Sequence, residues 1–521
     1  MNNISVLDCT LRDGGYINNW NFGEKVIEGV INNLVDAKID IIECGFIRNV
    51  EHTSESSVYN SMDQIVKVIS PKAKNTLYAV MIEHHNNVYD LITEYNENAV
   101  DIIRVTFRRK EWNEAKIKIE QLIGKGYKVC IQPVGTTNYD DEALLQLIKE
   151  VNELKPYAFY FVDTLGVMYR HDMRKFFYLI DNNLSKDICL GFHSHNNLQM
   201  SFANAQEMIR LAHNRNIIVD SSCYGMGRGV GNLATELFCD YINNNIEQRY
   251  SLTPILNIVD KYLMPIYAEQ RWGYDLPYFL SAIVKCHPNY AAYLIRRETL
   301  DIENIEKILS LIPVNDRKEY NEKLIEALYI KIQSSEVNDN ASVERLKDMV
   351  AGKEVLILGP GISINLEEQK IKKIANEKFI IATNFIPSNY FADAVFISNE
   401  RRFSGIKDQL IGYKCILSTS NLEVENSLVF NYSSLLGEGN AADNAGAMLI
   451  RILKKADVKR VYLAGFDGFD VDASMNYAVA DYKKTLDYDM ARKKNKNISK
   501  QLKLALDGLD YEVITKTKYE I

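Results

Sequence analysis

Over residues 1–245 short apolar runs alternate with longer stretches in which apolar positions recur at helical spacing. The apolar runs are ISVLDCT, IDIIECGF, TLYAVMI, DIIRVTF, KVCIQPV, AFYFVDTLG, ICLGFHSH and IIVDSSCYG. Runs apolar at nearly every position predict strands buried on both faces, as in a parallel sheet. Helices are predicted between them, among others at Gly23–Ala37, Ser57–Ile69, Trp112–Gly124 and Asp141–Leu154. Eight βα units in about 240 residues match the count and length of a closed (β/α)8 TIM barrel. An open doubly wound sheet has the same periodicity. The polar positions favour the barrel. Asp8, Arg12 and Asp13 follow the first strand, and Glu43 lies on the second. Asp163 and Thr164 close the sixth, and His193 and His195 close the seventh. Polar groups gathered at one end of several strands suit the mouth of a barrel.

The pattern then changes. Residues 246–350 read as a helical extension, with aromatics concentrated in Pro265–Tyr293 and a polar boundary at Gln333–Ala341. The aromatics suit helix packing, with a lid or subunit contact as the alternative. From 351 to 521 a smaller α/β pattern appears, with strands at EVLILGPG, KFIIATNF, AVFIS, KCILST and RVYLAGFDGF. GPG after its first strand is a tight glycine turn that either opens a phosphate site or only turns the chain. The Lys-rich segment Ala491–Leu506 reads as a surface helix.

Composition narrows the partners. The chain has 521 residues, 47% hydrophobic and 25% charged, as in a globular protein. Its net charge of −8 gives no global footprint for nucleic acid or an anionic membrane. The short run Arg104, Arg108, Arg109, Lys110 reads as a solvated or substrate-side surface. The eight cysteines are scattered, without a CxxC pair, which suggests buried thiols in a reduced, cytoplasmic setting. The N-terminus lacks a basic-then-apolar leader, and no apolar stretch approaches the ~18 residues that span a bilayer.

HSH at 193–195 places two imidazoles at i and i+2, on one face of a strand. With Asp13 they offer two nitrogens and one oxygen, a set suited to a divalent metal with open positions. Two hydrogen-bonded core histidines are the alternative. The segments LDCTLRDGG (7–15), FVDTLG (161–166), GFHSHNNLQMSFANA (191–205) and VDSSCYGMGRGVGNLATE (219–236) shift the balance between them. Together they resemble the metal-dependent aldolase and lyase barrels that include 4-hydroxy-2-oxovalerate aldolase and 3-hydroxy-3-methylglutaryl-CoA lyase.

The resemblance implies that Asp13, His193 and His195 bind the metal, with Asn232 as a further ligand or close neighbour. Manganese is the first expectation, with magnesium, cobalt or zinc as alternatives. Arg12 would contact the keto oxygen and stabilise an enolate. Thr164 would hold a carboxylate, and Asp163 and Glu43 would order the network below. The family's catalytic histidine after RDG is replaced by Tyr16, a weaker base at an ordinary pKa near ~10. His52, Tyr290 and His287 are other candidates for the base. The glycine-rich loop GMGRGVGN lacks the cysteine of the lyase branch. These features imply a carbon–carbon lyase, a class II aldolase that joins or cleaves a 2-oxo acid, pyruvate first, and an aldehyde. An acyl-CoA-dependent Claisen condensing enzyme is one alternative.

The C-terminal part resembles Rossmann-like domains related to pterin pyrophosphokinases and sialyltransferase-like proteins, in GNAADNAGAMLIRIL and RVYLAGFDGF. That resemblance implies a nucleotide or nucleotide-sugar ligand near Gly359, Gly361, Asn384, Asp443 and Asp467. It also implies a bifunctional protein with a role in sugar or surface-polysaccharide metabolism. A nucleotide-linked transferase with a regulatory barrel is the second alternative. The aromatic-rich extension suggests a homo-oligomer.

Overall fold

The computed structural model describes residues 4–333, 337–437, 443–479, 482, 486 and 488–521. The chain forms two compact units, Met1–Ala291 and Ala292–Ile521. In the first, the strands are β1 (Ile4–Asp8), β2 (Ile41–Ile47), β3 (Val58–Tyr59), β4 (Leu77–Glu83) and β5 (Ile102–Phe107). They continue with β6 (Lys128–Pro133), β7 (Ala158–Asp163), β8 (Cys189–Ser194) and β9 (Ile217–Ser221). The order β1-β9-β8-β7-β6-β5-β4-β2 closes through a β1–β2 pairing, all parallel. This is the eight-stranded TIM barrel that the apolar runs predict.

Strand alternation explains why those runs lack a visible period. Val6, Ile42, Ile103 and Val219 face the core shared with the surrounding helices. Their neighbours Leu7, Ile41, Ile102 and Ile218 fill the barrel interior. Both faces are dry, so both parities are apolar. One inward step beyond Ile41, Ile102 and Ile218, the residues are Glu43, Arg104 and Asp220, all buried. The apolar plug therefore ends there, and a charged layer begins beneath the mouth.

Two readings of the sequence need correction. The helix expected at Ser57–Ile69 starts at Met62, because Val58 and Tyr59 pair with Phe46 and Ile47 as β3. Arg104 is not at a surface: it is wholly buried inside the barrel, while Arg109 and Lys110 are exposed. The aromatic extension packs on the loop after β9. Trp272 Nε1 donates to Tyr224 O at 3.0 Å, and Tyr267 meets both rings edge-on.

The second unit holds β10 (Val355–Leu358), β11 (Phe379–Thr383), β12 (Ala394–Ile397), β13 (Ile416–Thr419), β14 (Leu428–Phe430), β15 (Arg460–Ala464) and β16 (Asp510–Val513). All are parallel, in the order β14-β13-β12-β11-β10-β15-β16. Val355 and Ile357 face one apolar layer and Leu356 and Leu358 the other. The direction of winding reverses between β10 and β15. β14 and β16, the two edge strands, escape the sequence reading: one is three residues long and the other, DYEV, is largely exposed. The polar boundary at Gln333–Ala341 falls partly on residues 334–336, outside the described set; helices Glu322–Gln333 and Asn340–Val350 flank it. All eight cysteines are free thiols, seven of them buried. Among the described residues no helix is long and apolar enough to cross a membrane.

Candidate functional site

Asp13 lies in the turn after β1, His193 on β8, and His195 one residue past its end. One ligand atom from each lies within 4.8 Å of the others, and all three residues are buried. The imidazoles are 5.3 Å apart and edge-on. Asn232 arrives on the loop after β9, where its backbone bridges to His195, and its Nδ2 donates to Asp13 Oδ2 at 2.6 Å. His195 Nδ1 and Asn232 Oδ1 are buried without a hydrogen-bond partner. One carboxylate oxygen, two imidazoles and a spare amide oxygen are the donors a divalent cation takes. The residues present therefore fit a divalent metal.

The electrostatics agree. Burial alone would raise the Asp13 carboxyl, but Arg12, then His195 and His193, and the Asn232 bond hold it well below its ordinary range. Burial, opposed by Asp13 and helped by His193, Arg228 and Arg12, lowers His195 to about 4, so its imidazole is neutral at pH 7. Neutral histidine and ionised aspartate are the ligating forms.

Beneath the cluster runs a charged network. Arg12 donates from Nε to Glu43 at 2.8 Å and from Nη1 to Asp13 at 2.6 Å. Arg104 bridges Glu43, at 2.8 Å, and Asp220. Asp220 in turn lies 2.9 Å from His193 Nδ1. Arg12 Nη2 has no partner, although Arg12 is buried. Two of its arms are spent on holding the side chain, and the third is left for another oxygen.

A cavity of about 210 Å³ opens above this layer. Arg12, Asp13, Tyr16, Thr164, His193 and His195 line it. Thr164 Oγ1 accepts Gly135 N at 2.9 Å, which pins two mouth loops together. Glu43 lies below the lining. Asp163 also lies outside it and holds its own loop by accepting Val167 N and Met168 N, each at 2.9 Å. Two of the candidate bases stand elsewhere. His52 is tied to Val58 O at 2.7 Å with its ring tilted 5.4 Å from that of Tyr59; Tyr290 is fully buried in the helical extension. His287 meets Arg228 at 3.0 Å, also outside the lining. Burial first, and the charge of Asp13 second, push the Tyr16 phenol above its ordinary value.

The sequence reading missed Asp220, His85 and the roles of Arg108 and Arg228. His85, Arg108 and Arg228 all line the cavity. Asp220 shares the inward parity of Ile218, a signal that was present in IIVDSS.

In the second unit, Gly359, Gly361 and Asp467 line one cavity with Asn384 and Asp443. The glycines answer to packing. A side chain at Gly359 would lie 2.5 Å from Gly465 O, and one at Gly361 would lie 2.4 Å from Asp467 Oδ1. Asp467 caps a turn by accepting Ser363 N at 2.7 Å and Ser363 Oγ.

Residues 3–260 match the HMGL-like family, over the span of the barrel and the whole metal cluster. The barrel is an HMGL-like domain. Among curated relatives, oxaloacetate decarboxylase of Mycobacterium tuberculosis is 26% identical over 233 residues, 44% of this chain and 67% of that protein. 4-Hydroxy-2-oxovalerate aldolase of Pseudoalteromonas translucida is 23% identical over 270 residues, 50% of this chain and 76% of that protein. A solved N-terminal domain of a Bacteroides vulgatus protein assigned as an aldolase is 23% identical, with TM-score 0.49, over 58% of this chain and 99% of that one. The HMGL-like domain thus shares its family with proteins named as enzymes that break carbon–carbon bonds.

Proposed function

We propose that the HMGL-like barrel is a divalent-metal-dependent lyase of 2-oxo acids, with pyruvate enolate as the common intermediate and an aldehyde as its partner. The observation that carries this reading is the convergence of Asp13, His193 and His195 beside the unpartnered Nη2 of Arg12. When bound, the metal, manganese first, supplies a Lewis acid for the keto oxygen.

The chain's own residues do the rest. Arg12, held by Glu43, aims its free Nη2 at the oxygen where negative charge gathers as the carbon–carbon bond breaks. Such a fixed donor stabilises the enolate without reorganising at the moment of reaction. Thr164 stands in the wall as a partner for the substrate carboxylate. Aldol cleavage also needs a proton taken from the hydroxyl of the carbon being released. Tyr16 and His85 line the cavity and supply the two groups for proton movement. The raised Tyr16 phenol keeps its proton at neutral pH and serves as a donor, which leaves His85 as the acceptor. Arg108 and Arg228 add positive charge to the wall, as an acidic substrate requires.

Decarboxylation of oxaloacetate passes through the same enolate, and the similarity to a decarboxylase supports it as the second reading. It needs no base for a hydroxyl proton.

Proton NMR of pyruvate in D₂O tests the common step. The expected result is loss of the methyl signal with Mn²⁺ and none with chelator. No exchange with metal bound would sink the reading. Adding oxaloacetate and a panel of short aldehydes in turn then separates decarboxylase from aldolase.

A further inference from the structure

Among the described residues that line the barrel cavity, three carry a buried polar atom without a hydrogen-bond partner: Arg12 Nη2, His195 Nδ1 and Gln132 Oε1. The enolate oxygen and the metal cluster of the proposed reaction take up the first two. Gln132 is left over. It lies on β6 and shares the inward parity of Cys130, which fills the barrel interior. Only 3% of it is exposed.

Gln132 stands across the mouth from the metal cluster. Asp13 follows β1, His193 lies on β8, and Asn232 arrives after β9, the strand between them. β5 is four strands from β9 by either route round the closed barrel, and β6 is its neighbour. With the pyruvate half of a substrate held at the metal and Arg12, the other half has to run toward β4, β5 and β6.

The immediate surroundings of Gln132 are uncharged. Thr106 is in register with it on β5, and Met81 and Val162 line the cavity from β4 and β7. The charges on this side are already answered or stand further out. Arg104, two residues before Thr106, is spent on Glu43 and Asp220. Glu83 meets Arg48 at 2.9 Å. Glu111 accepts Arg108 N at 2.8 Å in the turn after β5, where Arg108 is exposed. A buried amide oxygen without a partner favours a ligand that donates to it. A hydroxyl does so. An ionised carboxylate has no proton to give. Met81 and Val162 offer apolar surface to the carbon that carries the hydroxyl.

Resting on the lyase reading above, we propose that Gln132 selects the aldehyde. Its amide oxygen accepts from a hydroxyl on the carbon next to the aldehyde carbon, so the partner is a 2-hydroxyaldehyde and the aldol is a 4,5-dihydroxy-2-oxo acid. In cleavage the 4-hydroxyl gives up its proton and its oxygen becomes the aldehyde carbonyl. The C3–C4 electron pair passes to the pyruvate half as the enolate, which then takes a proton at C3. The 5-hydroxyl changes no bond. Gln132 is therefore a specificity residue, separate from the groups that move protons.

The test uses the full chain with Mn²⁺. Pyruvate methyl exchange in D₂O is measured first on the wild type. Pyruvate is then offered glycolaldehyde, glyceraldehyde and propionaldehyde in the condensing direction, with product followed by NMR. Glycolaldehyde and propionaldehyde differ only in a hydroxyl for a methyl. At least one hydroxyaldehyde should exceed propionaldehyde in kcat/KM by about tenfold or more. Gln132→Met, close in length but without the amide, should shrink that ratio to about threefold or less, mainly through the KM of the hydroxyaldehyde. Near-UV circular dichroism checks that the variant folds. If it does not, Gln132→Asn, which keeps the amide but withdraws it by one methylene, should shrink the ratio in the same direction. The proposal is overturned, and the lyase reading stands, if exchange occurs and neither hydroxyaldehyde outruns propionaldehyde, or if a folded variant keeps the wild-type ratio. Absence of exchange with metal bound sinks the reading and the proposal together.

Discussion

His193 Nδ1 donates to Asp220 Oδ2 across 2.9 Å of buried space, and this bond leaves Nε2 as the nitrogen free to ligate. Asp220 is held in turn by Arg104, so the imidazole's orientation traces back to a charge on β5, across the barrel. Partners of this kind fix the tautomer of a ligating histidine and raise its basicity, and their loss costs about 10–100-fold in metal affinity. Asp220→Asn should therefore weaken Mn²⁺ binding by that factor while Asp13, His193 and His195 stay in place. Electron paramagnetic resonance of free Mn²⁺ during titration measures it. Wild-type affinity in Asp220→Asn would show that the bond merely packs the core.

Arg12 separates binding from chemistry. Its Nε and Nη1 are occupied, and only Nη2 is left for substrate. Arg12→Ala should lower the rate of pyruvate methyl exchange by about 10²–10³. The metal should still bind. Loss of metal along with exchange would mean that Arg12 acts through Asp13 rather than on the enolate.

Tyr16 and His85 should part company in two assays. Methyl exchange in pyruvate needs no hydroxyl proton removed, whereas aldol cleavage does. With an aldol substrate in hand, His85→Ala should slow cleavage by about 10²–10⁴. Tyr16→Phe should slow it less, because its raised phenol is not the acceptor. If Tyr16→Phe proves the more damaging of the two, the roles are reversed.

Much of the barrel was legible because a strand buried on both faces needs apolar residues at both parities, and all eight runs show them. The ligand set was legible for a related reason: His193 and His195, two apart, and Asp13 within RDG have no place in an apolar plug. What escaped was decided by neighbours far along the chain. Arg104 reads as part of a basic run with Arg108–Lys110, yet it is wholly buried because Glu43 and Asp220 come from β2 and β9 to meet it. His85 follows β4 in a polar EHHNN segment that shows no local sign of facing a cavity. In the second unit the glycines at 359 and 361 suggested a phosphate turn, and loop packing against Gly465 and Asp467 accounts for them.

The buried network makes Arg104 a stability residue. Its Nη atoms hold two carboxylates that are themselves wholly buried, and its guanidinium lies 4.7 Å from the centre of the Tyr160 ring. Removing one partner of such a set leaves uncompensated charge in the interior, a loss of about 3–5 kcal/mol. Arg104→Met should show that loss in urea unfolding of the metal-free protein. A loss below about 1 kcal/mol would place the network in water, contrary to its burial.

Asp163 gives a pH signature of its own. Burial pushes its carboxyl up from the ordinary 3.8 to about 6, against the hydrogen bonds from Met168 N and Val167 N. A carboxyl raised on folding favours the native state when protonated, so its contribution is fully present below pH 3.8 and is lost as pH rises through about 6. Between pH 5 and pH 7 that loss comes to about 1 kcal/mol for this group. Asp163→Asn carries no proton to lose and should show none of it. Urea unfolding with chelator present, at pH 5 and again at pH 7, reads the difference between wild type and variant. That difference should move by about 1 kcal/mol against the wild type on going to pH 7. An unchanged difference would mean that Asp163 is already ionised at pH 5, with its backbone hydrogen bonds outweighing its burial.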